Sequence, residues 1–411
     1  MSEVVVTGIG PLLASCADRQ TLWSHLRDGP SQLVFEPAPG RAGERWPVGR
    51  IAGFDPARWL SRFPRAYYER YHREQQLYLA ALMIALDDAR LAITDVNRER
   101  VGLFDGTSRG NFDYWYHRAR SEHDSAGPHY TQRDLLIGTP GQAANLAAAL
   151  LGIRGPAYTF NVTCCSGAVA IGHACRALID GELDVALASG HDTALSAPLY
   201  QMYKDAKLLS DERDDARRAI RPYGDHSNNA FGEGAIALVL ETRAHARARG
   251  ATSLATIDGF KLGNNGAHPL RVDPEGRRAA ALIDDVLARA EIDRADIGFV
   301  VGHGNAVAQS DRSELAYMQT AFGARAVPLL SVKPVYGHLL GASSALNIAA
   351  AALMLHHRWL VPTRNLDPAR VTGPIDHLAR GGRAHRGSAG LAVSYGIGGH
   401  TAVTLVGAEA A

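Results

Sequence analysis

The 411-residue chain is 46% hydrophobic and 21% charged, the make-up of an α/β enzyme long enough for one large core or two fused ones. A net charge of +1 supplies no global field pointing to nucleic acid or an anionic membrane, so neither is expected as a partner, although an acidic protein could dock on a local basic patch. Only four of the 43 basic residues are Lys (Lys204, Lys207, Lys261 and Lys333), a bias that fits GC-rich coding and makes a Lys inside a motif stand out.

The cysteines Cys16, Cys164, Cys165 and Cys175 lack metal-site spacing, and adjacent Cys164 and Cys165 would make a strained disulfide. Free thiols in a reducing cytoplasm are therefore expected, with no metal. The opening residues run into a strand pattern rather than a signal peptide. The Ala-rich stretch after Gly341 is interrupted by Asn347 and reads as a buried helix, not a bilayer span.

In chain order, Val4-Val5-Val6 predicts a buried strand, with Thr7-Gly8-Ile9-Gly10 as a Gly turn. Thr21 to Arg27 predicts a short helix, residues 30–60 a surface excursion, and Tyr67 to Ala89 a helix with Leu79, Leu82, Met83 and Leu86 on one face. Val101 to Phe104 predicts a strand, and residues 107–135 a capping insertion.

A weak internal repeat follows. Strand 157–162 leads through Thr163-Cys164-Cys165-Ser166-Gly167 into apolar helix 168–179, then strand 185–188 and Ser189-Gly190. Strand 328–332 leads through Tyr336-Gly337-His338 into apolar helix 346–355, then strand 391–393 and the loop 394–399. Helices apolar all round between continuous apolar strands pack between layers. The expected fold is α/β with duplicated halves, residues 1–245 and 246–411, in a five-layered α-β-α-β-α stack. Cys164 and His338 would then sit in equivalent places near a pseudo-twofold axis.

The chemistry concentrates at a few turns. Cys164 lies where a strand turns into a helix, whose free N–H groups and partial positive charge favour a thiolate; a small buried hydrophobe would suit the place as well. Cys165 should point elsewhere on the turn, and Cys16 and Cys175 read as structural. His303 and His338 sit beside glycines that permit close approach, and neutral imidazoles there can donate N–H bonds to a developing enolate. His191, His226 and His268 also lie near Gly turns and rank lower. Lys333, among apolar residues, calls for a carboxylate partner, with Asp311 and Glu314 as candidates, or else snorkels at a strand end. The loop Ser394-Tyr395-Gly396-Ile397-Gly398-Gly399 lacks the helix and acid of a dinucleotide fingerprint. It is either a tight turn or an oxyanion hole, with the Ile397 N–H beside the Cys164 N–H.

Together these segments resemble the β-ketoacyl-acyl carrier protein synthases of bacterial fatty acid synthesis and type II polyketide pathways. The resemblance covers nearly the whole chain: Gly155-Pro156 and Thr163–Gly167, Phe231-Gly232-Glu233-Gly234-Ala235 with Leu238–Glu241, His303-Gly304 with Asp311 and Glu314, Lys333 with Gly337–Gly341, and Ser394–Gly399. It implies a thiolase-like fold and an acyltransferase that performs decarboxylative Claisen condensation. Cys164 is the implied nucleophile, His303 and His338 assist malonyl decarboxylation, Lys333 and Glu314 hold the surrounding charge, and Asn305, Val307 and Gly398 fall at substrate-binding positions. No bound cofactor is implied; the substrates ride on the phosphopantetheine of an acyl carrier protein. A dimer is implied, with an identical or a related subunit, and the carrier should dock on a basic rim.

Several positions depart from that pattern. Asn305 and Val307 replace the usual threonines, Ile397 the usual Phe gate, and His400 and Thr401 the usual Thr-Asn; the stretch from Arg221 to Phe231 is one residue short and contains Asn228-Asn229. These changes point toward a specialised pathway. Two further readings are acyl transfer without condensation and a chain-length-factor-like subunit; the latter typically lacks the cysteine present here. A thiolase proper would need a second cysteine after Cys175. Acyl selectivity is expected to depend on residues 107–140 and 195–210.

Overall fold

Apolar runs along the chain become strands whose two faces feed different cores. The computed structural model describes residues 3–123, 130–139, 141–193, 195–224, 226–371 and 375–409. Its main sheet contains β1 (Val4–Leu12), β2 (Val101–Thr107), β3 (Ala157–Phe160), β4 (Val185–Asp192), β5 (Gly234–Thr242), β6 (Ala255–Asn264), β7 (Ile297–Val301), β8 (Leu329–Leu330), β9 (Ala389–Gly396) and β10 (His400–Gly407). The order is β8-β7-β9-β10-β6-β1-β5-β4-β2-β3. The first five strands and the last five thus repeat one topology, including the parallel pairs at the outer ends (β2 with β3 and β4; β7 with β8 and β9). The two sets join antiparallel where Val5 and Val6 of β1 face Thr256 and Ala255 of β6.

Six helices complete the repeat: α1 (Arg73–Asp88), α2 (Gln142–Leu151), α3 (Ser166–Ile179), α4 (Arg277–Ala290), α5 (Ala308–Phe322) and α6 (Ala342–His357). Because strand side chains alternate, Ile236, Leu238 and Leu240 of β5 join the central core of α3 and α6. Ala235, Ala237 and Val239 turn to the outer core under α1. In the second half, Ala402 and Val406 of β10 face the centre, while Val403 and Leu405 face α4 and α5. The result is the thiolase-like five-layered stack, with α3 and α6 in the middle layer. Residues 342–355 of α6 are all buried, which accounts for a stretch with no Asp, Glu, Lys or Arg in it.

Some elements differ from the sequence reading. The glycines after Val6 make no turn: β1 continues to Leu12. They are glycines because α1 lies on the strand; a Cβ on Gly10 would come within 2.1 Å of the Ala81 carbonyl oxygen. The long first helix divides into Arg65–Tyr68 and α1. Ser189-Gly190 and Ser394–Gly396 remain in strands. The capping insertion forms helices Phe112–His123 and Gln132–Gly138, while residues 124–129 and Pro140 of the expected acyl-selectivity region lie outside the described residues.

Glycines also set the central contact. Gly167 N–H donates to Gly341 O at 3.1 Å, and Ala168 N–H to Ser344 Oγ at 2.9 Å. Gly341 N–H is held by Asp192 Oδ2 at 2.6 Å. The turn before α3 and the turn before α6 are thereby locked together, and these turns carry Cys164 and His338.

Candidate active site

Cys164 occupies a one-turn 3₁₀ segment, Thr163–Cys165, that runs into α3. Thr163 adopts φ +50°, a strained conformation for a β-branched residue. Its hydroxyl donates to Ile397 O at 3.1 Å, and Ser166 Oγ accepts from Val162 N–H at 2.9 Å. The elbow is thus tied to the Gly-rich loop. Cys164 lines a cavity of about 90 Å³ together with His303, His338, Asn305, Val307 and Ile397. Cys165 points away from it, its thiol donating to Ser394 O at 3.3 Å.

Electrostatics correct one expectation. Burial pushes the Cys164 thiol up to about 11, against the pull of Lys333 and Arg109. The resting sulfur is therefore a neutral thiol, because desolvation of the anion outweighs the helix start and nearby cations.

His303 follows β7, and its backbone is gripped from both sides. Its N–H and that of Gly304 each donate to Glu314 carboxylate oxygens at 2.6 Å; the Tyr223 and Tyr317 hydroxyls add 3.0 and 3.2 Å bonds to the same carboxylate. Lys333 Nζ donates to the His303 carbonyl. Lys333 and Glu314 form no direct ion pair among the described residues; the His303 backbone lies between them. Burial lowers Lys333 to about 8 and raises Glu314.

Both imidazoles have the same polarity. Tyr395 N–H donates to His303 Nδ1 at 3.3 Å, and Leu340 N–H to His338 Nδ1 at 3.2 Å, with Ser343 Oγ 2.7 Å from that nitrogen. An Nδ1 that accepts places the proton on Nε2, so each ring has an N–H donor left. Burial, then Lys333, holds both well below 6.5 and hence neutral. The rings lie 5.5 Å apart at 85°. The backbone N–H groups of Cys164 and Ile397 donate to no other residue among the described residues, as oxyanion donors would.

Asn305 lines the cavity, with Oδ1 accepting from Val307 N–H at 3.1 Å. Val307 presents an apolar wall, as its replacement of the usual threonine leads one to expect. Two expected positions stand elsewhere. Gly398 does not line the cavity; its N–H donates to Pro269 O at 2.8 Å and its carbonyl accepts from Asn264 at 2.6 Å, which shapes the loop. Asp311 is buried and accepts from Tyr223 N–H at 2.8 Å, anchoring Tyr223 on α5.

His191, His226 and His268 stay outside the cavity. His191 is a core residue between Glu74 and Asp105, at 3.0 and 2.9 Å. Sequence reasoning reached Tyr203, Asn229 and Tyr395, which line the cavity, and Arg109, which bonds Tyr203, only as members of longer segments and gave none of them a role of its own. For Arg109 one signal was available, a polar residue just beyond the C-terminal end of a parallel strand. Tyr203 and Asn229 carried no spacing that set them apart.

Known proteins bear on this geometry. Residues 1–246 match the model of the β-ketoacyl synthase N-terminal domain, and residues 254–367 that of the C-terminal domain. The chain is 32% identical over 99% of its length to a putative polyketide β-ketoacyl synthase 1 of Streptomyces halstedii, covering 98% of that protein. It is 30% identical to a 3-oxoacyl-[acyl-carrier-protein] synthase 2 of Vibrio harveyi, over 97% of this chain and 96% of the other. Among solved structures, the ishigamide ketosynthase/chain length factor superposes with a TM-score of 0.89 at 26% identity over the full length of both chains. The chain belongs to the β-ketoacyl synthase family of acyltransferase-type condensing enzymes.

Proposed function

We propose that Cys164, His303 and His338 carry out the condensation, in a type II polyketide or specialised fatty acid pathway, on acyl groups delivered by an acyl carrier protein. The observation that carries this reading is one cavity in which a cysteine faces two neutral imidazoles, each with Nε2–H left to donate. In the first half-reaction Cys164 Sγ bonds to the acyl carbon, the carbon–sulfur bond to pantetheine breaks, and the proton of Cys164 ends on the departing thiol. The N–H groups of Cys164 and Ile397 hold the oxyanion. A malonyl thioester then places its carbonyl oxygen at the two Nε2–H groups. Loss of carbon dioxide leaves the electron pair as an enolate, which those donors stabilise. Its carbon attacks the acyl-Cys164 thioester, expels the Cys164 thiolate, and leaves a β-ketoacyl chain on the carrier.

Lys333 and Glu314 act as positioning residues that fix the His303 backbone. Asn305 meets the malonyl end through its amide. The Cys164 cavity shares Arg271 and Gln309 with a neighbouring groove bordered by His268, Arg277 and Arg278. That basic rim suits an acidic carrier arriving with its phosphopantetheine. The edge strand β3, with Tyr158 half exposed, suits pairing with a second subunit, identical or of the chain-length-factor kind. No helix among the described residues is long and apolar enough to cross a membrane.

The test is incubation with an acyl carrier thioester, then with malonyl carrier protein labelled in its carboxyl carbon. Expected are the acyl mass on Cys164, labelled carbon dioxide and an extended product, with acylation absent in Cys164→Ala. Acyl transfer with no carbon dioxide would replace condensation by transfer alone, as Asn305 and Val307 would allow. No acylation at all would favour the partner-subunit reading.

A further inference from the structure

A buried cluster of titratable groups behind the His338 turn takes no part in the steps above. Glu74 of α1, Asp105 of β2, and His191 and Asp192 of β4 are all buried. His191 Nε2 lies 2.9 Å from Asp105 Oδ2, and His191 Nδ1 lies 3.0 Å from Glu74 Oε1. Asp105 also accepts from Ser189 Oγ at 3.1 Å, and the Tyr78 ring packs 5.0 Å from the His191 ring. No lysine or arginine pairs with any of the three carboxylates among the described residues; the Arg109 charge acts on Asp192 without forming an ion pair. Asp192 connects the cluster to the site. It accepts from Gly341 N–H at 2.6 Å and from the N–H groups of Ser108 and Arg109 at 2.9 Å. Leu340, just before Gly341, donates its own N–H to His338 Nδ1.

Thr107 joins Glu74 to Asp192. Its hydroxyl oxygen lies 3.3 Å from Glu74 Oε1 and 3.2 Å from Asp192 Oδ1, and it accepts from Gly110 N–H at 2.8 Å. A hydroxyl has a single proton, so it serves one carboxylate at a time. Glu74 Oε2 is buried with no hydrogen-bond partner among the described residues, a place that costs an ionised carboxylate far more than a neutral acid. Burial accordingly raises Glu74, against the pull of His191. A protonated Glu74 donates to Thr107 Oγ1, and the Thr107 proton then goes to Asp192. An ionised Glu74 competes for that proton, and Asp192 loses a donor. We propose that Glu74 is a positioning residue for His338: while it carries a proton it turns the Thr107 hydroxyl toward Asp192, which steadies the Gly341 N–H and the turn that holds the imidazole. A carboxyl group is protonated below its folded pKa and ionised above it, so this support is present at lower pH and fades as pH rises. The inference deepens the proposed function and rests on it for the step affected, malonyl decarboxylation.

Malonyl carrier protein labelled in its carboxyl carbon reports carbon dioxide release from neutral to alkaline pH. In the wild type, release should fall about fivefold as pH rises, the size of one hydrogen bond. Glu74→Gln puts an amide donor in place of the acid proton at every pH and should abolish the fall. Thr107→Val breaks the relay and should hold release at the low value throughout, whereas Thr107→Ser should restore the wild-type profile. Lys333 is intact in all four proteins, so its own titration cannot produce the difference between them. A second readout needs no turnover. With label on leucine carbonyl carbons and glycine amide nitrogens, a carbonyl-to-amide NMR experiment selects Leu151-Gly152, Leu262-Gly263 and Leu340-Gly341. The Gly341 amide should shift with pH in the wild type and stay still in Glu74→Gln. Should Glu74→Gln lose its thermal transition, the Thr107→Val and Thr107→Ser profiles decide. Wild-type release that does not fall, the same fall in Glu74→Gln or Thr107→Val, or a wild-type Gly341 amide unmoved by pH overturns the inference. If no form releases carbon dioxide, the failure lies in the proposed function, and the Gly341 amide alone decides the inference.

Discussion

Lys333 Nζ donates to the backbone carbonyl of His303, on the opposite side of the same peptide segment from the Glu314 carboxylate that receives the His303 N–H at 2.6 Å. A buried cation and a buried anion thus meet through the residue they position, rather than through each other. Geometry of this kind fixes an imidazole without using its ring nitrogens, which leaves Nε2 free for substrate.

The Lys333→Met variant should expose that arrangement. It leaves a buried carbonyl without its donor and a buried carboxylate without its cation, a loss of about 3 kcal/mol in stability by analogy with broken buried pairs. Carbon dioxide release from malonyl carrier protein should fall roughly 10- to 100-fold as His303 shifts. Cys164 acylation at a fixed pH should fall less, because the oxyanion donors are backbone groups of residues 164 and 397. Denaturant unfolding and the two half-reactions, measured separately, check this. Equal losses in both would place Lys333 in the acylation step instead.

The pH profile follows from the directions of the shifts. A neutral imidazole is needed, and burial holds His303 and His338 well below 6.5. Such a group is neutral above its folded pKa and charged only below it, so activity should persist as pH falls through 6.5 and drop at lower values. Cys164 is shifted the other way, up to about 11. Its alkylation by iodoacetamide should still be rising with pH above 9, where an ordinary thiol has begun to level off. Without the Lys333 charge, the rise in Lys333→Met should move further alkaline. An alkylation curve for Cys164 that levels off near pH 7 would show a preformed thiolate and contradict the neutral resting state.

Asn305 and Val307 carry a third prediction. Val307 cannot donate a hydrogen bond, and the Oδ1 of Asn305 is occupied by the Val307 N–H. Changing both to Thr adds two hydroxyls to the wall on the His303 side of the cavity. With a gain of about 1 kcal/mol for a hydrogen bond made, malonyl decarboxylation should rise roughly 3- to 10-fold. Acylation of Cys164 should be unaffected. Unchanged decarboxylation would mean that the malonyl carboxylate lies elsewhere.

Much of this site is readable in the sequence, because each key residue sits at an abrupt change of pattern. His303 and His338 interrupt apolar runs beside glycines, Cys164 stands where an apolar strand gives way to an apolar helix, and the repeat of strand, turn, helix and strand anticipates the matching strand orders of the two halves. What stayed hidden depends on tertiary contact. Gly8 and Gly10 read as a turn because nothing local reveals the helix lying on them. Lys333 calls for a carboxylate when read alone, but its donor meets a carbonyl whose position only the fold fixes. The neutral state of Cys164 depends on burial that no helix-start argument measures. Gly398 reads as part of a substrate loop, yet its polar groups are spent on Pro269 and Asn264.

The glycine lock between the two central turns yields the final prediction. A Cβ on Gly190 would lie 2.7 Å from Gly341 O and 2.9 Å from Ala342 Cα, both backbone atoms. Neither can rotate aside, so Gly190→Ala must push the start of α6 away from β4. That start accepts Gly167 N–H from α3 and donates Gly341 N–H to Asp192, so the displacement reaches the His338 turn and the Cys164 turn together. Overpacking of this sort costs about 1–3 kcal/mol. Acylation and decarboxylation should both decline, in contrast to Lys333→Met, which acts mainly on decarboxylation. Gly181→Ala makes a useful comparison: at φ +73° with no atom within 4 Å of the added Cβ, it bears backbone strain alone and should lower stability while leaving both half-reactions intact. If Gly190→Ala behaves like Gly181→Ala, the two turns are not mechanically joined.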